Sequence, residues 1–124
     1  MMSKDDMKLF FSEAEDLLQK IEDSILLLEE NPKNNKPVQD LFFSFHTMKG
    51  LVGMVGLDNL SKFCHEFENL LEKNKDYKVR AKNIDTVINL LFESLDIIRS
   101  VLEKLKSGEN TDLDSQTMNE IIES

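Results

Sequence analysis

The stretch from Ile84 to Lys106 reads IDTVINLLFESLDIIRSVLEKLK, and its spacing decides the fold class. Ile84, Ile88, Leu91, Leu95, Ile98, Leu102 and Leu105 follow one another at steps of four and three. That alternation keeps apolar side chains on one face of a helix and leaves the opposite face polar. Lys106-Ser107-Gly108 ends the pattern, with a cation where the helix dipole favours one and a glycine able to turn the chain. A one-faced helix must bury that face against partners, so the rest of the chain should supply them.

Met7, Phe11, Ala14, Leu18, Ile21, Ile25 and Leu28 repeat the same alternation. Ser3 is the expected N-cap, with acidic residues behind it, and Pro32 disfavours helical geometry at Asn31. After the polar loop 31–36, Pro37 suits the first turn of a second helix. Its apolar side is Val38, Leu41, Phe42, Phe45, Met48 and Val52, and Gly53 and Gly56 weaken and end it. A third helix starts near Asp58 and carries Leu60, Phe63, Cys64, Phe67, Leu70 and Leu71 before the charged run Glu72-Lys73-Asn74-Lys75-Asp76. Asp112 or Asp114 is the expected cap of a last short helix with Leu113, Met118, Ile121 and Ile122. Helices are thus predicted over 4–30, 37–53, 58–75, 80–106 and 112–123. Together they predict an all-α fold: an antiparallel up-down four-helix bundle with a short fifth C-terminal helix packed on one side, in one domain over 1–124.

Composition narrows the function classes. The 124 residues are 40% hydrophobic and 31% charged, a globular balance rather than a disordered one. Fifteen Lys and Arg (15) against 24 Asp and Glu leave a net charge of −9, which disfavours nucleic acid and an anionic membrane surface. The single cysteine, Cys64, allows no internal disulfide and fits a reducing, cytoplasmic setting. Met1-Met2-Ser3-Lys4-Asp5-Asp6 does not read as a signal peptide, and no apolar run is long enough to span a bilayer.

The chemistry concentrates in Phe45-His46-Thr47-Met48-Lys49-Gly50. On a helix, His46, Lys49 and Gly50 share a face. That face offers a nucleophilic imidazole, a cation one turn away and a position without a side chain; Gly53 follows on the same side. On the third helix His65, Glu68 and Glu72 lie off the line of Leu60, Cys64, Phe67 and Leu71. If the two helices are antiparallel neighbours, Glu68 can accept a hydrogen bond from one ring nitrogen of His46. The other nitrogen is then left as an outward lone pair. Lys49 would offset charge on a transferred phosphoryl group. These features suit a histidine that receives and hands on phosphoryl groups. The chain has no Gly-rich phosphate loop, so no cofactor is expected here and ATP would be bound by a separate domain. His46, His65, Glu68 and Cys64 also include plausible zinc ligands. Against that reading, Cys64 falls on the core line and no paired Glu-x-x-His elements accompany it, so no metal is expected.

His46-Thr47-Met48-Lys49-Gly50, with Gly53 and Gly56, resembles the histidine-phosphotransfer (HPt) motif. His65-Glu66-Phe67-Glu68-Asn69-Leu70-Leu71 resembles in particular the N-terminal HPt domain of CheA-type chemotaxis kinases. Phe10-Phe11-Ser12-Glu13-Ala14 with Leu17-Leu18, and Asn83-Ile84-Asp85 through Leu105, are similar to that family's first and fourth helices. The resemblance implies that His46 is the phosphorylation site. It implies that Glu68 orients the ring, and that Lys49 and His65 complete a hydrogen-bonded cluster. It implies a module, the N-terminal part of a longer kinase, that takes the γ-phosphoryl of ATP from a CheA-type kinase catalytic domain. The phosphoryl would pass to a response-regulator receiver, CheY-like or CheB-like. Gly50 and Gly53 would give that partner steric access. Leu51 and Val52 depart from the small residues usual after the glycine, which bears on the docking surface. A free-standing or hybrid-kinase HPt protein of a multistep phosphorelay, and a non-catalytic helical interaction bundle, are the alternatives.

Overall fold

A computed structural model describes residues 3–109 and 111–123. Residues 1, 2, 110 and 124 lie outside that description, and with them the ends of the predicted domain and part of the segment read for a signal peptide.

The first helix, α1 (Lys4–Glu30), starts on a reciprocal cap. Ser3 Oγ accepts the Asp6 N–H and the Asp6 carboxylate accepts the Ser3 N–H, both at 3.1 Å. Its buried line is Phe10, Ala14, Leu18, Ile21, Ser24, Ile25 and Leu28. The predicted stripe therefore needs one correction. Stepping back by fours from Leu18 reaches Phe10, not Phe11. Phe11 and Met7 pack at the rim of the core, and the Phe11 ring lies beneath Lys106 at 5.9 Å.

Helix α2 (Asn35–Met54) begins two residues before the predicted boundary, because Asn34 caps it by accepting the Lys36 N–H at 3.1 Å. Pro37 still falls in the first turn. Its inward residues are Val38, Leu41, Phe45, Met48, Leu51 and Val52, while Phe42 is half-buried. Gly56 closes the helix at φ +84°, a left-handed conformation that other residues adopt at a cost. Helix α3 (Asp58–Lys73) buries Leu60, Phe63, Cys64, Phe67, Glu68 and Leu71.

The predicted fourth helix is divided. A one-turn helix α4 (Tyr77–Arg80), capped by Asp76, passes through a 3₁₀ turn (Ala81–Asn83) into α5 (Ile84–Lys106). Arg80, the last residue of that turn, is a cation with no exposed surface. Its guanidinium donates to the carbonyls of Pro32 (3.0 Å), Asn74 (3.2 Å) and Lys75 (3.0 Å) and to Asn35 Oδ1 (2.9 Å). Its ring neighbour is Tyr77, at 5.4 Å. Desolvation pulls its pKa below the ordinary arginine value, against the pull of Asp76 and Tyr77.

Cross-helix pairs fix the directions. Glu22 meets Arg99 (3.0 Å) and Glu15 meets Lys106 (3.2 Å), so α5 runs antiparallel to α1. His46 meets Glu68 and the Lys49 carbonyl meets Ser61, so α3 runs antiparallel to α2. The four long helices close on one core that includes Ile21, Leu41, Phe63 and Leu91, all without exposed surface. The C-terminal α6 (Ser115–Glu123) lies along α3 and adds Ile121 to the core, with Leu113 of the segment before it. Asp114 caps it through Thr117 (3.3 Å). Asp112, the other predicted cap, turns away from α6 towards α3. The described residues contain no strand, and none of their helices is long and apolar enough to cross a membrane.

Candidate functional site

Phe45 and Met48 have no exposed surface, and this burial turns the next residues of α2 outwards. His46, one step past Phe45, leaves 60% of its side chain in solvent. Its ring is parallel to that of Phe42, one turn earlier, with centroids 6.5 Å apart and planes within 5°. Lys49, at 28% exposure, reaches along the seam between α2 and α3.

Across the seam, α3 presents Glu68, whose side chain is only 7% exposed. One carboxylate oxygen, Oε2, is 3.0 Å from His46 Nδ1, and the other, Oε1, is 2.8 Å from Lys49 Nζ. His65, one turn earlier on α3, stands with Nδ1 at 3.9 Å from Oε1. The structure thus brings His46, Lys49, Glu68 and His65 together around one carboxylate. Glu72, the remaining polar candidate of that face, turns away and pairs with Lys75 at 2.7 Å.

Burial by itself would raise the Glu68 carboxyl pKa, but the Lys49 and His46 contacts outweigh it and hold the group below the usual carboxylate range. An ionised carboxylate only accepts hydrogen bonds, so the ring proton is assigned to Nδ1. In the neutral ring Nε2 then carries the lone pair, on an imidazole that solvent and partners can reach. Lys49 also supplies a positive charge next to that ring.

Gly50 is exposed, and a Cβ built there would meet no atom within 4 Å. Gly53, predicted to share that role, is exposed too. It faces α3, however, and a Cβ would lie 3.5 Å from Ser61 Oγ, so this glycine belongs to the rim of the helix seam. Leu51 and Val52, expected to affect docking, point inwards at 9% and 0% exposure; their bulk fills core rather than the outer face. Thr47 Oγ1 returns to the Phe43 carbonyl at 2.9 Å.

Cys64, the residue before His65, is fully buried, and desolvation together with Glu68 pushes its thiol up to about 12. Burial thus favours the protonated thiol over the thiolate that attacks or binds metals. Among the described residues no group of three or more His, Cys, Asp or Glu side chains is arranged to hold a metal ion. Phe43 was not singled out in the sequence. It is 67% exposed beside Phe42 and lines a groove with Val38, Leu71 and Lys75 one turn from His46. Its signal was available, because an aromatic residue next to the inward Phe42 has to face out.

The family model for the Hpt domain matches residues 7–108. The Chemotaxis protein CheA of Treponema pallidum is 38% identical over 102 residues, 82% of this chain and 12% of that protein. CheA of Borreliella burgdorferi is 34% identical, over 76% of this chain and 11% of that protein. CheA of Bacillus subtilis is 31% identical, over 82% and 15%. The chain thus spans a small fraction of the length of these relatives. No solved structure gives a significant match.

Proposed function

The chain belongs to the Hpt domain family, and from that premise we propose that it carries phosphoryl groups on His46 within a CheA-type chemotaxis kinase system. One observation carries this reading. An imidazole that is 60% exposed has its Nδ1 held at 3.0 Å by a buried, ionised Glu68, with Lys49 on the same carboxylate. The bare Nε2 attacks the γ-phosphorus of ATP held by a separate kinase catalytic domain. An N–P bond forms, the bond from phosphorus to the bridging oxygen breaks, and ADP leaves. Glu68 stabilises the positive charge that develops on the ring, and Lys49 offsets charge on the phosphoryl oxygens. In the second step a receiver aspartate oxygen, of a CheY-like or CheB-like response regulator, attacks the same phosphorus. The N–P bond breaks and its electron pair returns to Nε2. His65, at the edge of the cluster, adds positive character when protonated. Gly50 keeps the approach open, and the whole proceeds in the cytoplasm.

The test is phosphorylation of the 124-residue chain by a CheA-type kinase with labelled ATP. The expected product is an acid-labile, base-stable phosphate that is absent in His46→Gln. Undiminished labelling of that variant would overturn the assignment.

A further inference from the structure

Helix α3 begins at Asp58 with Leu57 in the capping position, and the Leu57 side chain, 2% exposed, belongs to the core and accepts nothing. The first N–H groups of a helix need acceptors from elsewhere. Here they come from a residue about fifty positions later. Asp112 Oδ2 accepts the Asn59 N–H at 2.7 Å and Oδ1 accepts the Leu60 N–H at 3.0 Å. Oδ1 also accepts the Leu113 N–H at 2.7 Å. Asn59 reciprocates, donating from Nδ2 to the Leu113 carbonyl (2.9 Å) and to Ser115 Oγ (3.3 Å). The carboxylate sits where the helix dipole favours negative charge, and charge-assisted bonds of this kind are the stronger ones.

The same turn of α3 is tied to the phosphorylation helix. Ser61 Oγ donates to the Lys49 carbonyl at 3.0 Å, and the Lys49 ammonium lies on Glu68. We propose that Asp112 is a positioning residue for His46: by clamping the first turn of α3 it sets the axial position at which Glu68 meets the imidazole. A helix moves along its axis as a nearly rigid body, so a shift at Asn59 is carried to Glu68. The bond from His46 Nδ1 is 3.0 Å long, and lengthening it by more than about 0.5 Å ends it as a hydrogen bond. The seating of the segment 112–115 and α6 therefore regulates the reactivity of a histidine they do not touch. Only the rate readout below rests on the phosphotransfer reading.

The experiment compares the full chain with Asp112→Ala and Asp112→Asn, the latter keeping an acceptor without the charge. Two signals are read below the melting temperature of each variant: the ¹⁵N and Hδ1 resonances of His46, and its rate of phosphorylation. Leu95→Ala serves as the comparison for destabilisation alone. The expected result is that Asp112→Ala shifts the His46 resonances and slows phosphorylation roughly three- to tenfold. Asp112→Asn should recover part of both, and Leu95→Ala should leave the resonances in place. A destabilised Asp112→Ala whose resonances and rate match the wild type would overturn the proposal. Should Asp112→Ala not fold, Asn59→Ala loosens the same turn and is held to the same two outcomes. If the wild-type chain is not phosphorylated but its His46 resonances respond to Asp112, the phosphotransfer reading fails and the positioning role stands.

Discussion

Removing a carboxylate from water costs several kcal/mol unless partners compensate. At Glu68 the compensation comes from Lys49 and His46, and it more than offsets burial, because the carboxyl titrates below its ordinary value of 4.5. A group whose pKa is lowered on folding stabilises the fold fully above its unfolded pKa and loses that contribution as pH falls through the folded one. Glu68→Gln removes the charge but keeps the shape. The gap in melting temperature between wild type and this variant should therefore narrow on acidification below about pH 4.5; a pH-independent gap would mean that the carboxylate is not held ionised by its neighbours. The same variant should phosphorylate more slowly without unfolding, since a neutral amide fixes the ring tautomer less firmly. A wild-type rate would show that the ring does not depend on Glu68 for its orientation.

Among the elements, α5 most clearly follows from its own residues. Leu95 lies in the middle of the four-three line at 2% exposure. Leu95→Ala should cost about 2–5 kcal/mol in chemical denaturation, and unchanged stability would contradict its place in the core. Helices α1 and α5 were legible because each spends most of its stabilisation on one periodic face. The pairing of His46 with Glu68 was legible for a similar reason: both side chains lie beside a readable core line. Two features were not. The buried Arg80 beside the break between α4 and α5 takes the carbonyl of Pro32, 48 residues earlier. The start of α3 depends on Asp112, which local grammar offered, beside Asp114, only as a cap for the last helix. Backbone carbonyls and N–H groups have no residue-specific signature, so long-range bonds to them leave no pattern in the chain. Phe10 was misplaced for a smaller reason. Two adjacent aromatics satisfy the periodicity about equally, and only the far side of the bundle chooses between them.

In the molecule as a whole, α3 is held at both ends by groups from outside it. Asp112 takes the N–H groups at its start, and Arg80 takes the carbonyls of Asn74 and Lys75 just past its end. Arg80 also gathers the α1–α2 connection through Pro32 and Asn35, so one cation fastens one end of the bundle. Arg80→Ala takes the donor from the carbonyls of Pro32, Asn74 and Lys75, opens a cavity where a fully buried side chain stood, and should cost about 2–4 kcal/mol in urea unfolding. A loss below about 1 kcal/mol would mean that water replaces the guanidinium at little cost.

Gly50 gives the molecule a vulnerability of another kind. No atom would obstruct a methyl group there, and alanine in a helix interior is more favourable than glycine by about 1 kcal/mol. Gly50→Ala should therefore melt at a higher temperature while passing phosphoryl groups to a receiver more slowly; an equally fast variant would mean that the open position serves no partner. A selection for heat resistance alone would enrich this change and, under the proposed function, yield a sturdier protein that hands phosphoryl groups on more slowly.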